Sequence, residues 1–174
     1  DITEGNPRLF LGIISNLVEL YAKKENTIPV GTQAKSLLAA ASRYRALLGT
    51  IRVDCKDRNI MNLSQLVDQI GDYFHDQLVV RPFTADPIGC FIVDKNVPKQ
   101  IIDALGRALN AGAIIYFPIN PGHQLLDDLV DKRFRISSLL APHYKILLSS
   151  NKSRTLNNIL NESDGRNIDM FGGK

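Results

Sequence analysis

The residue best placed for chemistry in this chain is Arg8, at the start of a predicted helix. It closes the segment Gly5-Asn6-Pro7-Arg8, which opens directly into apolar residues at helical spacing. Asparagine caps helix N-termini and proline suits the first helical turn, so Arg8 is held in a fixed place. The helix dipole by itself disfavours a cation at this end. We therefore predict that Arg8 binds an anion, most simply a phosphate.

A second candidate site is a basic segment in the second half of the chain. Residues 61–130 carry four basic and eight acidic side chains, whereas residues 132–154 carry six basic and no acidic ones. A positive stripe of this kind can hold phosphate backbones, and it can equally be a solvated basic surface. The six residues are Lys132, Arg133, Arg135, Lys145, Lys152 and Arg154.

The acidic and histidine clusters favour no catalytic centre and no metal site. His75 lies between Asp72 and Asp76 on a predicted helix, a spacing that can hold a metal but is more typical of a hydrated charged face. The aspartates at 127, 128 and 131 are interpreted as side chains that keep a loop soluble and place negative charge at a helix N-terminus. Ser137 and Ser138 lack the context of a hydrolase nucleophile.

Composition describes a globular protein with a hydrophobic core, because 44% of the residues are hydrophobic and 22% are charged. No apolar stretch approaches the roughly 20 residues that span a bilayer. The start shows neither an initiator methionine nor a signal-peptide pattern, which favours part of a longer polypeptide. Cys55 and Cys90 have no metal-binding or disulfide spacing, so we expect a reducing, cytoplasmic location.

Hydrophobic periodicity predicts three helices in the first part of the chain. They cover residues 7–23, residues 32–48 with Thr32 as the cap, and residues 64–79. On the third helix, Asp68 and the aspartates that follow it are predicted to lie on the solvent side, opposite the apolar stripe.

The second half changes to a mixed pattern. Strands are predicted at 90–93, 113–117 and 133–136, with a helix at 98–110 that Gly112 ends. Strand, helix, strand, long loop and strand is the order of a winged-helix domain. The predicted fold class is therefore α+β, mostly α.

These segments together resemble a known family. Gly5-Asn6-Pro7-Arg8 before an amphipathic helix is similar to the sensor-2 motif in the lid of AAA+ ATPases, particularly those of the origin-recognition type and related bacterial ATPases. Residues 91–94, the helix ending in Ala-x-x-Ala-Gly-Ala and residues 133–142 resemble the winged-helix ending of such proteins. The resemblance spans most of residues 3–148.

The resemblance implies a helical lid bundle at 1–60, a winged-helix domain at 61–150 and a weakly helical or flexible tail at 151–174. The chain is then the C-terminal portion of an AAA+ P-loop ATPase, and Arg8 reaches the terminal phosphate of ATP held by the preceding core. ATP and magnesium belong to the full-length parent. The expected partners are that core and neighbouring subunits.

The chain lacks the G-x-x-x-x-G-K-[ST] loop, so we expect it to bind no cofactor and to hydrolyse no ATP by itself.

Two functions remain open for the winged helix. In the first, it binds double-stranded DNA and the six basic residues neutralise phosphates. In the second, it is a protein-interaction or oligomerisation module that regulates the ATPase. Only one helix fits between the first two strands, and its Lys99, Asp103 and Arg107 alternate in sign, which stabilises a helix better than it reads DNA.

Overall fold

The computed structural model of the chain describes residues 7–23, 27–81, 87–118, 126–147 and 152–169. Within these ranges the fold is α+β and mostly helical. The helices are α1 Pro7–Lys23, α2 Val30–Leu48, α3 Leu63–Val79, α4 Lys99–Ala111, α5 Ala141–Tyr144 and α6 Leu156–Asp169. The strands are β1 Arg52–Cys55, β2 Ile60–Asn62, β3 Ile88–Ile92, β4 Ile114–Tyr116, β5 Arg133–Ile136 and β6 Lys152–Thr155.

Helix α2 begins two residues earlier than its sequence predicts. Pro29, not Thr32, precedes the first turn, and no side chain caps it. The carbonyl of Pro29 instead accepts hydrogen bonds from the backbone N–H groups of Thr32 and Gln33, at 2.9 and 3.1 Å. Proline has a φ suited to a helix start, so the backbone enters the helix there and Thr32 is already inside it. The prediction of Thr32 as the cap is wrong.

The hairpin of β1 and β2, which the sequence did not predict, joins α2 to α3. Its two strands are antiparallel, with Arg52 opposite Asn62 and Cys55 opposite Ile60. Asn59 completes the turn in the left-handed conformation, at φ 52°. Asn62 then caps α3, since its side-chain oxygen accepts from the N–H of Gln65 at 3.0 Å.

The main sheet has the order β4-β5-β3-β6. β5 is antiparallel to both β4 and β3, and β6 is parallel to β3. The predicted order of strand, helix, strand, loop and strand is therefore present from β3 to β5, with α4 as the one helix between β3 and β4. The edge strand β6 was not predicted, because its sequence Lys-Ser-Arg-Thr is polar and its place in the sheet depends on backbone pairing with β3.

A single core lies between the sheet and α3. The rings of Phe91 and Phe134 stack at 5.8 Å on adjacent strands. Helix α6 packs on α3 and adds Leu156, Ile159 and Leu160, which are fully buried. The segment assigned from sequence to a tail therefore contains β6, which pairs with β3 at the edge of the sheet, and α6, whose apolar side chains join the core.

Candidate nucleic-acid interface

Strand β5 presents two arginines on the face of the sheet that points away from the core. Phe134 and Ile136 alternate with them and are buried, at 0% and 2% exposure. Arg133 and Arg135 are each half-buried on the opposite face, because successive side chains of a strand point to opposite sides. The strand therefore holds both guanidinium groups on one surface, a two-residue step apart.

Phe117, immediately after β4, is the residue that brings these arginines together. The Cζ atoms of Arg133 and Arg135 lie 4.8 and 5.0 Å from the centroid of its ring. Each such contact is worth about 0.5–1 kcal/mol at a partly exposed site, which offsets the repulsion between the two cations. Arg133 also donates from Nε to the carbonyl of Phe117 at 2.9 Å and from Nη2 to the carbonyl of Pro118 at 3.1 Å. The arginine pair and the start of the β4–β5 connection are therefore one ordered unit.

The electrostatic effect of this pair is visible at Cys90, which lies on the adjacent strand. Burial raises the pKa of the Cys90 thiol, and the nearby charges of Arg133 and Arg135 act in the opposite direction. Cys90 is therefore within range of both positive charges.

Arg154 lies on the other side of the sheet. In the strand registers, Phe91 is the partner of both Phe134 and Arg154, so Arg154 shares the face of the core residues. Its Nη2 is 2.5 Å from Oε1 of Glu162 on α6, and the other carboxylate oxygen of Glu162 pairs with Arg81 at 2.7 Å. Arg154 therefore joins β6 to α6.

The three predicted lysines are dispersed. Lys132 is half-buried just before β5, and its carbonyl accepts from the N–H of Val93 at 3.1 Å. Lys145 is exposed after α5 in the left-handed conformation, at φ 54°, and Lys152 is exposed on the edge strand β6. The structure thus brings together only Arg133 and Arg135 of the six predicted residues.

Helix α4, between β3 and β4, is contacted on two sides. On one side Arg107 donates from Nη1 to the carbonyl of Arg52 in β1, at 3.0 Å. On the other side, Leu129 lies 4.0 Å from the point where a Cβ on Gly106 would be. Lys99, Asp103 and Arg107 remain exposed on its outer side, whereas Arg133 and Arg135 on the sheet face are half-buried.

Helices α2, α3 and α5 are joined by a polar cluster that sequence reasoning missed. Asp68 was predicted to face solvent, but it is half-buried and accepts two hydrogen bonds from Arg45 of α2 and one from Tyr144 of α5. The prediction for Asp68 fails because α5 and α2 both pack over this part of α3. Periodicity within α3 cannot show which neighbours cover its polar side.

A family model described as ORC-CDC6-like matches residues 1–156 of the 174. The chain belongs to the ORC-CDC6-like family. Neither curated proteins nor solved structures gave a match. The family confirms the relationship to AAA+ ATPases of the origin-recognition and Cdc6 type that the Gly5-Asn6-Pro7-Arg8 motif suggested. The matched range ends at the first residue of α6, so almost all of that helix lies beyond it.

The sensor-2 candidate of this ORC-CDC6-like chain is only partly visible. Arg8 is in the first turn of α1, which begins at Pro7 as predicted, while its side chain and residues 1–6 lie outside the described residues. Several large apolar side chains of α1 are exposed, among them Leu11 at 64% and Val18 at 57%. An exposed apolar face of this extent is available to another protein surface.

ORC-CDC6-like AAA+ proteins generally use ATP and magnesium. The sequence has no phosphate-binding loop, and the described ranges contain no group of three His, Cys, Asp or Glu residues close enough to hold a metal ion. Among the same residues, no helix is long and apolar enough to cross a bilayer.

Proposed function

We propose that this ORC-CDC6-like chain is the lid and winged-helix end of an AAA+ ATPase and that it binds double-stranded DNA through Arg133 and Arg135. The observation that carries the proposal is the arrangement of both guanidinium groups over the ring of Phe117, on the side of the sheet away from the core. Two cations at a fixed spacing can contact successive phosphates of a backbone without ordering long, flexible side chains on binding. The ring between them is a surface on which a sugar or base can pack.

The proposed DNA interface is smaller than the predicted stripe of six residues. Arg154 is excluded because Glu162 engages it on the core side of the sheet. Lys132, next to the arginine pair in sequence, can extend the interface, whereas Lys145 and Lys152 are on other elements and serve at most as peripheral phosphate contacts.

In the lid, the proposed role of Arg8 is one contact to the terminal phosphate of ATP bound by the AAA+ core of the same polypeptide. The exposed apolar face of α1, with Phe10, Leu11, Val18 and Tyr21, supports packing of this helix against that core or a neighbouring subunit. A cytoplasmic location is proposed for the chain, whose two cysteines are buried thiols outside any disulfide.

A second candidate function is protein interaction, in which the winged-helix-like part binds a neighbouring subunit instead of DNA. The observation that favours it is the position of α4. Since Arg107 is joined to β1 and Leu129 lies beside Gly106, neighbouring elements flank α4 on two sides and hinder its entry into a major groove.

Salt dependence of duplex binding separates these functions. With DNA binding, log affinity falls linearly with log salt, and the double variant Arg133→Glu/Arg135→Glu flattens the slope by roughly 2, about one for each lost phosphate contact. The matched control is Lys35→Glu/Arg43→Glu, which makes the same change in net charge at exposed positions of α2. If the two double variants changed the salt slope equally, or if the wild-type chain did not bind duplex, protein interaction would be the one remaining candidate function.

The role of Arg8 is tested in the full-length parent. Arg8→Ala is expected to weaken nucleotide binding, and Arg8→Lys to restore part of it because the positive charge returns without the bidentate geometry. Unchanged nucleotide affinity in Arg8→Ala would remove the sensor assignment.

A further inference from the structure

We propose that α2 is mechanically part of the DNA-binding unit, held to it by a clamp of Arg45, Asp68 and Tyr144. The sequence groups α2 with α1 in a lid. Besides packing on α1, α2 contacts α3, α5 and the end of α4, so that a displacement of α2 moves the Arg133–Arg135 surface with it. This inference rests on the proposed function only because that proposal assigns DNA binding to the Arg133–Arg135 surface.

The clamp is centred on the carboxylate of Asp68. Arg45 donates to it with two nitrogens, Nε to Oδ1 at 2.7 Å and Nη2 to Oδ2 at 2.5 Å. The hydroxyl of Tyr144 donates to Oδ1 at 2.6 Å. Three hydrogen bonds thus tie side chains of two helices, α2 and α5, to one carboxylate on α3. A bidentate arginine contact fixes orientation as well as distance.

The clamp is shielded on one side by packing. Tyr144 is only 5% exposed, and burial followed by its hydrogen bond with Asp68 raises the pKa of its hydroxyl. Tyr44, the residue before Arg45, donates from its hydroxyl to the carbonyl of Ala111 at the end of α4, at 2.6 Å. Tyr44 therefore holds the end of α4, while the next residue, Arg45, holds α3 and, through Asp68, α5. On the same face of α2, Ala41 and Leu48 are buried, at 0% and 1% exposure.

Helix α1 also packs on α2, but through apolar side chains and outside the clamp. Among the described residues of α1, Ile13 is buried, at 6% exposure, and Leu17 is half-buried against the same core. The hydrogen bond of the Ser15 hydroxyl stays within the helix, to the carbonyl of Gly12. Relative motion is therefore easier between α1 and α2 than between α2 and α3, which places the mechanical boundary after α1 and not near residue 60.

Site-directed spin labels measure this directly in the 174-residue chain. One label pair, Ser42→Cys with Lys99→Cys, reports α2 against α4, and a second, Glu19→Cys with Lys99→Cys, reports α1 against α4. All three positions are exposed, while the native Cys55 and Cys90 are buried and poorly accessible to the label. We expect a narrow distance distribution for the first pair and one roughly twofold broader for the second. Equal widths for the two pairs would overturn the proposed boundary.

Variants test whether the clamp is the cause. Arg45→Met is expected to broaden the α2–α4 distribution, whereas Arg43→Met, on the exposed side of the same helix, leaves it unchanged. Arg43 makes no ion pair within the described residues, so it is the matched control. Should Arg45→Met fail to fold, Tyr144→Phe removes one hydroxyl only and is expected to broaden the distribution to a smaller extent. An unchanged width in both clamp variants overturns the clamp.

A duplex titration of the same labelled chain keeps the two proposals separate. Absence of DNA binding with a narrow α2–α4 distribution contradicts the proposed function and leaves the clamp in place. DNA binding with a broad α2–α4 distance distribution contradicts the clamp and leaves the proposed function in place. Binding together with a clamp-dependent distribution supports both.

Discussion

Gly71 of α3 and Tyr144 of α5 are in direct contact through the face of the tyrosine ring. A Cβ on residue 71 would lie 2.5 Å from Cδ1 of Tyr144 and 2.6 Å from Cγ. Only glycine leaves enough room for the ring at this place. Gly71 therefore allows the Tyr144 hydroxyl to reach Asp68, one helical turn earlier on α3.

The first prediction is that Gly71→Ala destabilises the chain by about 2 kcal/mol, the usual range for overpacking a tight core. The added methyl group displaces Tyr144, whose surroundings are buried and cannot give way easily. Chemical denaturation measures the free energy of unfolding.

Gly31→Ala is the control for that substitution. A Cβ at Gly31 in α2 meets nothing within 4 Å, so alanine is expected to stabilise the helix by about 0.5–1 kcal/mol. If both glycine substitutions changed the free energy of unfolding in the same direction, the close contact at Gly71 would not matter energetically.

The second prediction concerns alkaline pH. Burial raises the pKa of Tyr44 from 10.0 to about 12, so the folded chain holds this proton more tightly than the unfolded chain. The resulting stability is complete below about pH 10 and is lost as the pH rises towards 12, with a total of about 3 kcal/mol. Tyr144 contributes in the same direction, because its pKa is also raised.

Urea titrations at several pH values between neutral and strongly alkaline measure this loss. The variant Tyr44→Phe has no proton to lose at this position, so its stability should decline less steeply than that of the wild type. Tyr21, exposed on α1, provides the comparison: Tyr21→Phe should follow the wild-type curve. If the free energy of unfolding declined equally steeply with pH in the wild type and in Tyr44→Phe, Tyr44 would not be the source of the alkaline loss of stability.

A third prediction follows from the position of Phe117 between the two arginines. Phe117→Leu keeps both charges but removes the ring on which they are held, so duplex affinity should fall by about three- to tenfold. The salt slope should stay the same, since it counts phosphate contacts. Fluorescence anisotropy at several salt concentrations measures both quantities. A flattened slope would mean that the ring is needed for the phosphate contacts themselves, which contradicts a purely supporting role.

The fourth prediction concerns Asp94, which stabilises α6 from a distance in sequence. Its Oδ2 accepts from the backbone N–H of Asn157 in the first turn of α6, at 3.1 Å, and its Oδ1 accepts from the N–H of Asn96 at 3.3 Å. Asp94→Ala is expected to cost about 1 kcal/mol, as for the loss of a helix cap. Faster amide hydrogen exchange in α6 should accompany it.

Asp94→Asn is the conservative variant for this test, because the amide oxygen can still accept from Asn157. Its effect should be less than half that of alanine. Equal exchange rates in α6 for wild type and Asp94→Ala would show that β6 and the buried Leu156, Ile159 and Leu160 anchor the helix without the cap.

Most elements with strong local periodicity were predictable from sequence. Helices α1, α3 and α4 lie within one residue of their predicted bounds, and β5 matches its prediction. These segments have apolar residues at a clear period, so their secondary structure depends little on distant parts of the chain. The elements that were missed, β1, β2 and β6, are short and largely polar, and they form because another strand is there to pair with them.

The candidate interface was likewise predictable from sequence only in part. The alternation of Arg133, Phe134 and Arg135 in a predicted strand indicates that the two arginines share a face. The role of Phe117 had a weaker signal, an aromatic residue at the end of the preceding strand. Nothing local distinguishes Arg154 from Arg133, since both lie in short strands of a basic segment, and only the pairing of β6 with β3 puts Arg154 on the opposite face.

The sequence alone determined the α+β class, the start of α1 at Pro7 with Arg8 in its first turn, and the order of strand, helix, strand, loop and strand from β3 to β5. These follow from local chemistry: periodicity, capping and turn residues act over a few positions. Only the tertiary structure decided that Arg133 and Arg135 form a pair, that Arg154 belongs to α6, and that Asp68 joins three helices. Such contacts link residues 8 to 76 positions apart, and their partners are set by how the elements pack.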